Sequence, residues 1–129
     1  MIAVRWKDAD ALGHVNHAVI VTYLEEARDA ILMPILKQPM SYVVARIEVD
    51  YRAELRLDQR QVHVVIDVED IGNTSITLLE RVTDSRGVLI AEARTIVVQW
   101  NPKCRRGVPI RGKCRRELMT LALATRRDS

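Results

Sequence analysis

Aromatic residues are scarce in this chain of 129 residues: they make up 4% of it, and phenylalanine is absent. The sequence therefore offers no aromatic platform on which single-stranded nucleic acid could stack, and we predict no nucleic-acid partner. The core has to be built from Val, Ile, Leu and Ala. A chain of this length fits one domain, so we predict a single domain over residues 1–129.

Cysteines are also few, with only Cys104 and Cys114 present. Two cysteines ten positions apart make neither a disulfide framework nor a structural zinc site, which needs four ligands. No apolar run reaches the ~20 residues that span a bilayer, and the N-terminus lacks the residue order of a secretory signal. These absences predict a cytoplasmic protein with reduced thiols and no membrane partner.

The net charge of +3 conceals an uneven distribution along the chain. Residues 103–129 contain nine basic and two acidic residues, whereas residues 1–102 contain eleven basic and fifteen acidic ones. A basic C-terminal segment of this kind suits phosphate groups, either on nucleic acid or on a phosphorylated cofactor. The alternative is a solvated helix and arm that binds nothing.

A polar turn precedes a predicted helix near the N-terminus. Residues 2–7 indicate a short strand, and residues 8–16 form the turn. Apolar residues spaced three and four apart over residues 17–33 predict an amphipathic helix, whose apolar face carries Ile20, Tyr23, Leu24, Ala27, Ala30 and Ile31. Asn16 is its expected N-cap, because the side-chain oxygen accepts an orphan backbone N–H, and Pro34 is its expected end.

The second half of the chain has the period of β-strands. Apolar and polar residues alternate without a break over residues 45–58, which predicts a long strand with one dry face. Three more strands at hairpin spacing are predicted over residues 62–68, 74–83 and 88–100. A short helix is predicted over residues 115–124. One long helix and one antiparallel sheet bury their apolar sides if the sheet curls around the helix, which predicts an α+β fold.

The polar turn holds the candidate functional residues Asp8, Asp10, Gly13, His14 and Asn16. By residue type alone the two aspartates are ordinary turn residues, because Asp favours turns by local hydrogen bonding. A calcium loop is excluded, since Leu12 and Val19 stand where oxygen ligands are required. His14 and His17 have no third ligand at a useful spacing, so we predict no metal.

Two motifs of this region resemble the signature of the hotdog-fold thioesterases of the 4-hydroxybenzoyl-CoA type. Residues 8–17 read DADALGHVNH and residues 23–28 read YLEEAR; the family pattern runs roughly D-x-D-x-x-G-H-V-N-N, then Y-x-x-Y-x-E-x-A-R. Later turns are also similar, so the resemblance covers nearly the whole chain. It implies a hotdog fold, in which a five-stranded antiparallel sheet wraps around one long central helix.

The resemblance also implies an activity: hydrolysis of an acyl-CoA to a free acid and coenzyme A, without a cofactor, at the interface of a homodimer or homotetramer. Asp10 matches the catalytic carboxylate, as nucleophile or general base. The backbone N–H of His17, at the helix start, matches the group that polarises the thioester carbonyl. A helix N-terminus suits this task because its N–H donors are free and carry about half a positive charge.

The chain departs from the family pattern at two positions. His17 replaces a second Asn, and a backbone role survives any side chain there. Ile20 replaces a Tyr, which removes a hydroxyl from the pocket lining and affects the preference for the acyl group. The residues that we expect to bind substrate or to hold the loop around it are Gly13, His14, Asn16 and Ser75.

Several of these residues have a structural alternative. Glu25 is the second candidate for the catalytic group, because it follows His17 on the same side of the helix and another branch of the hotdog thioesterases uses a helix carboxylate near this position. The alternative for Glu25 is a salt bridge to Arg28. Ser75 contacts either a ligand or only its own turn.

The basic segment has a role in the same hypothesis. Coenzyme A carries a 3′-phosphate and a pyrophosphate, and Arg105, Arg106 or Arg111 are candidates to bind them. The alternative to the enzyme keeps the fold and drops the hydrolysis: a non-catalytic protein that binds acyl-CoA or acyl-carrier protein, since a fold alone does not give a function.

Overall fold

The computed structural model describes residues 2–3, 17–55 and 61–128, without the side chains of residues 17–18 and 124–128. In chain order the elements are β1 (Ile2–Ala3), α1 (His17–Leu36), β2 (Ser41–Tyr51), β3 (Gln61–Ile71), β4 (Ser75–Asp84), β5 (Leu89–Asn101), β6 (Arg106–Gly107) and α2 (Gly112–Asp128). The predicted strand is therefore described only at Ile2–Ala3, and the predicted cap Asn16 lies outside the described residues.

The strands form one antiparallel sheet in the order β1-β3-β4-β5-β2, and the short β6 pairs with the end of β5. β3, β4 and β5 are neighbours, as their hairpin spacing predicts. β2 pairs with β5 rather than with β3, the strand that follows it in the chain. This α+β arrangement, with α1 packed against the sheet, confirms the predicted hotdog fold.

The predicted strand over residues 45–58 is wrong in its bounds where the structure describes it, and residues 56–58 lie outside the described residues. β2 begins four residues earlier and ends at Tyr51. A β-bulge between Val44 and Arg46 interrupts the pairing with β5, and an extra residue at a bulge disturbs the inside–outside alternation. Ala45 and Tyr51, which the alternation places on the dry face, are exposed.

Both helices are longer than the sequence predicts. α1 does not stop at Pro34 but runs to Leu36, since the N–H of Lys37 still reaches the carbonyl of Met33 at 3.0 Å and closes the last turn. Lys37 then leaves the helix in the left-handed region, with φ of 61°. α2 begins three residues before the predicted start and extends to Asp128.

The core consists of two apolar clusters, one under each half of α1. The first cluster contains Ile20, Tyr23, Leu24, Leu55, Val62, Val82, Ile90, Ala91 and Ala93. The second contains Leu32, Leu36, Val68, Ile76, Leu78, Val97, Ile110, Leu118 and Ala122, so it includes the inner face of α2. Between them lie Arg28, Glu80 and Thr95, which are buried although polar.

The buried face of α1 differs from the predicted one in its lower half. Ile20, Tyr23 and Leu24 are buried as predicted, but Ala30 is exposed. Arg28 occupies the buried face in its place.

Candidate active site

The start of α1 is fixed against one end of the sheet. Ile20, in the first turn, is 1% exposed and packs in the first cluster with Val82 near the end of β4 and Ile90 near the start of β5. The helix begins at His17, with no acidic residue in its first turn. The first N–H groups of a helix have no acceptor within it, so this end offers donors and a partial positive charge to an anionic group.

The other residues of the predicted turn lie outside the described residues: Asp8, Asp10, Gly13, His14 and Asn16. Their roles remain predictions. Of the predicted site residues, the structure describes His17 as the first residue of α1, together with Glu25 and Ser75.

Glu25 is exposed on α1, eight residues after His17, which is about 12 Å along a helix axis. The alternative of a salt bridge to Arg28 is wrong, because the Arg28 guanidinium bonds both carboxylate oxygens of Glu80 instead. Within residues 17–55 and 61–128, no hydrogen bond or ion pair joins Glu25 to another group. Glu25 is thus an exposed carboxylate about two turns along α1 from the helix start.

Ser75 lies at the opposite end of the sheet from His17. It is the first residue of β4, paired with Val98 near the end of β5, whereas the helix start packs near Val82, roughly 24 Å further along the strand. The carbonyl of Ser75 accepts the N–H of Gly72 at 2.8 Å. Within one chain, Ser75 and the start of α1 are too far apart to contact the same thioester.

Ser75 also has the structural role of a turn residue. A Cβ built on Gly72 would stand 2.6 Å from the Ser75 hydroxyl oxygen, so a larger residue at position 72 would require the Ser75 side chain to rotate. This contact and the hydrogen bond give Gly72 and Ser75 a role in the turn between β3 and β4 that needs no ligand.

Exposed cations gather at the same end of the sheet as Ser75. We call this set the basic end: Lys103, Arg105, Arg106, Arg111, Lys113 and Arg116. Among the described residues, the only carboxylate close to one of them is that of Glu117, 3.9 Å from the Lys113 ammonium. These cations also surround the start of α2, where positive side chains oppose the helix dipole, so the basic end has a net attraction for anions.

The basic end rests on ordered backbone. The side-chain oxygen of Asn101 accepts the N–H groups of Lys103 and Cys104 at 2.9 and 3.3 Å. The Arg115 guanidinium donates to the carbonyls of Gly72 and Ile110 at 3.0 and 3.3 Å, which ties α2 to the turn between β3 and β4.

A hydrogen bond that sequence reasoning missed joins α1 to β2: the Tyr42 hydroxyl donates to the Asp29 carboxylate. Burial raises the pKa of Tyr42 well above its ordinary value, and the bond to Asp29 adds to the effect. Tyr42 lies before the predicted strand, so the alternating pattern gave no signal for it. The phenol stays neutral and serves as a donor.

The described residues contain neither a metal-binding cluster nor a membrane-spanning helix. No group of three or more His, Cys, Asp or Glu residues there is arranged to hold a metal ion. No helix there is long and apolar enough to cross a bilayer.

Comparison with known proteins identifies the family. The model of the thioesterase-like superfamily matches residues 4–118. The acyl-CoA thioester hydrolase YbgC of Escherichia coli O6:H1 is 28% identical over 108 residues, which cover 78% of this chain and 80% of YbgC.

Solved structures agree. A predicted thioesterase from Bacillus stearothermophilus is 30% identical, with a TM-score of 0.83, over 93% of this chain and 92% of that one. A thioesterase from Thermus thermophilus, complexed with coenzyme A and Zn, is 31% identical, with a TM-score of 0.79, over 91% and 93%. The predicted relationship is confirmed: the chain belongs to the thioesterase-like superfamily and is a thioesterase of the hotdog fold.

Proposed function

We propose that the protein hydrolyses the thioester of an acyl-CoA to a free acid and coenzyme A. The observation that carries this proposal is the family match over residues 4–118, which includes both the D-x-D turn and the whole of α1. Two relatives support the substrate class, since YbgC is named an acyl-CoA thioester hydrolase and the Thermus thermophilus thioesterase is complexed with coenzyme A.

The start of α1 stabilises the charge that develops on the thioester oxygen. When the carbonyl carbon is attacked, its oxygen becomes an oxyanion, and the free N–H of His17 donates to it. One such donor lowers the activation barrier by roughly 3 kcal/mol. The packing of Ile20 in the first cluster supports this role because it holds the helix start in one place.

Asp10 activates or performs the attack. As general base it takes a proton from water, the water oxygen bonds to the carbonyl carbon, the carbon–sulfur bond breaks, and coenzyme A leaves as a thiolate that recovers the proton. As nucleophile its own oxygen forms a mixed anhydride, coenzyme A leaves, and water then cleaves the anhydride. Glu25 is the second candidate for this carboxylate. Gly13, His14 and Asn16 shape the loop around the thioester.

A second copy of the chain completes the site. Among the described strands β2 is an edge strand, and the exposed residues Val43 and Val44 lie on it. Antiparallel pairing of β2 with β2 of a second copy brings the 41 end of one strand beside the 51 end of the other. The Ser75 end of one subunit then approaches the His17 end of its partner, which gives Ser75 access to substrate.

The same pairing gives the basic end a function. Coenzyme A bound at the helix start of one subunit extends its phosphates toward the partner's basic end. Arg105, Arg106 and Arg111 are the candidates to bind the 3′-phosphate and pyrophosphate, since each is exposed and none has a carboxylate partner among the described residues.

Thiol release from a panel of short, long and aromatic acyl-CoA esters tests the proposal. We expect the wild-type protein to turn over at least one class, and Asp10→Asn to lower kcat about 10²–10⁴-fold. Glu25→Gln tests the second carboxylate, and the matched control is Glu26→Gln, an exposed neighbour on the same helix.

Each result of this experiment has a distinct meaning. Full turnover by Asp10→Asn would refute the role of Asp10, and a selective loss in Glu25→Gln would transfer the role to Glu25. A wild-type protein that binds coenzyme A and cleaves none of the esters would refute the proposed hydrolysis. It would favour the alternative of a non-catalytic protein that binds acyl-CoA.

A further inference from the structure

A buried ion pair crosses the middle of the core. The Arg28 side chain on α1 donates from Nε and Nη2 to the two carboxylate oxygens of Glu80 on β4, each at 2.9 Å. The side chains are 2% and 0% exposed. The Thr95 hydroxyl on β5 donates to the same carboxylate. Among the described residues no buried side-chain nitrogen or oxygen lacks a partner, so the network is fully satisfied.

Stability alone does not explain this network. Taking two charges out of water costs about as much as their attraction returns, and replacing a buried pair by apolar residues of similar volume is often neutral or stabilising. The pKa of Arg28 shows the balance: burial lowers it, but the hydrogen bonds and charge of Glu80 outweigh burial and raise it above its ordinary value. Such a pair is instead suited to selecting one arrangement of the elements that it joins.

α1 needs a residue of this kind because its apolar stripe repeats. Ile20, Leu24, Leu32 and Leu36 are buried at multiples of four residues from one another, and Tyr23 is the one further buried apolar residue among the described side chains of α1. A displacement of α1 by four residues, about 6 Å along its axis and 40° around it, brings similar side chains to most of these positions, so Tyr23 is the one apolar contact of the stripe that opposes it. Arg28 occupies the central position of the stripe, where a slip would separate it from Glu80.

We propose that Arg28 and Glu80 are positioning residues, whose buried pair sets the register of α1 on the sheet and thereby aims the N–H donors at the start of the helix. Two parallel hydrogen bonds fix both the height and the rotation of α1, which an apolar contact does not. Arg28 is eleven residues from His17, about 16 Å along the axis, and the intervening helix is continuous.

The inference rests on the proposed function, because it assigns the helix start as the place where the oxyanion forms. A catalytic group displaced by about 1 Å can lose 10²-fold in rate. A shift of α1 too small to unfold the protein would therefore still reduce turnover.

The test separates register from stability. Arg28→Met combined with Glu80→Leu replaces the pair by apolar side chains of similar volume, and we expect a melting temperature at or above that of the wild type. We expect kcat for acyl-CoA to fall about 10- to 100-fold, with little change in KM. Hydrogen exchange of the α1 amides should be faster. A purely structural pair would not lower kcat in a variant that remains fully stable.

The matched control is the exposed pair of Arg52 and Glu92, whose closest atoms are 2.6 Å apart and whose side chains are 52% and 37% exposed. Arg52→Met combined with Glu92→Leu should leave kcat and the α1 exchange unchanged. Thr95→Val is the milder variant for the case in which the buried double variant does not fold: it keeps the pair, removes one bond to Glu80, and should lower kcat by a smaller factor.

Wild-type kcat in a folded Arg28→Met/Glu80→Leu protein, or in Thr95→Val if the double variant does not fold, would overturn the inference. If the wild-type protein cleaves no ester, the proposed function fails and the amide exchange alone decides the inference. Faster α1 exchange in the buried variant than in the exposed control would then support the setting of the register, and equal exchange would overturn it.

Discussion

At the scale of single residues, Asp84 has partners that lie close to it in the sequence. Its carboxylate accepts the N–H groups of Arg86 and Val88 at 2.8 and 3.0 Å and the Arg86 guanidinium at 2.9 Å. Burial would raise the pKa of Asp84, but these hydrogen bonds outweigh it and hold the pKa below its ordinary value. The turn Asp-Ser-Arg-Gly thus carries its own counter-charge.

The lowered pKa of Asp84 predicts a pH-dependent contribution to stability. The ionised group stabilises the fold above the unfolded-state pKa of about 3.9, and the contribution is lost as the pH falls through the lower folded-state value. Asp84→Asn should therefore reduce the free energy of unfolding by about 2 kcal/mol at pH 7, with a smaller difference at pH 3, as measured by urea denaturation. Asp50→Asn, at a side chain that is 69% exposed, is the control.

Glu80 shows what the sequence does not supply. Alternation along β4 places Ile76, Leu78, Glu80 and Val82 on one face, so a carboxylate within an apolar series already indicates a partner. That partner is Arg28, 52 residues away, and no local spacing joins the two positions. Remote pairs of this kind require knowledge of which strand lies under which turn of α1, and this is decided by the packing of the whole sheet.

At the scale of elements, periodicity predicts the existence of the helices and strands better than their ends. The ends of α1 and β2 depend on hydrogen bonds that the pattern does not contain: the closing bond of Lys37 to Met33 beyond Pro34, and the bulge after Val44. The placement of β2 beside β5 is likewise a property of the folded sheet and not of the order of the strands in the chain.

α2 offers a prediction at this scale, because two adjacent residues have opposite environments. Leu118 is 0% exposed in the second cluster, and Met119 is 49% exposed. Leu118→Ala should lower the free energy of unfolding by about 2–5 kcal/mol, because it leaves a cavity between α2 and the sheet. Met119→Ala should stay within about 0.5 kcal/mol of the wild type in the same urea titration. Equal losses in both variants would show that α2 is not docked through the face described here.

At the scale of the whole molecule, the concentration of positive charge at the basic end predicts that substrate binding depends on the salt concentration. If the basic end binds the phosphates of coenzyme A, KM for an acyl-CoA should rise with ionic strength. The triple variant Arg105→Gln/Arg106→Gln/Arg111→Gln should raise KM at low salt by roughly tenfold or more, since hydrogen bonds to charged groups contribute about 1.5–3 kcal/mol each. Its kcat should be unchanged and its salt dependence flatter. Arg94→Gln, at a side chain that is 53% exposed on β5, about 23 Å along the strand from its end at Asn101, is the control.

The proposed pairing of two subunits through β2 provides the sharpest test of how the site is assembled. Val44 is 46% exposed on this edge strand, and a lysine placed on an edge opposes pairing with another strand. If the chain pairs in this way, light scattering should show a dimer for the wild type and a monomer for Val44→Lys. Turnover should fall with it, because one subunit alone holds Ser75 and the basic end far from the start of α1. Val65→Lys, at an equally exposed valine of β3, should remain dimeric and active. A monomeric Val44→Lys protein with full turnover would mean that one chain contains the complete site, and Ser75 and the basic end would then have no part in the reaction.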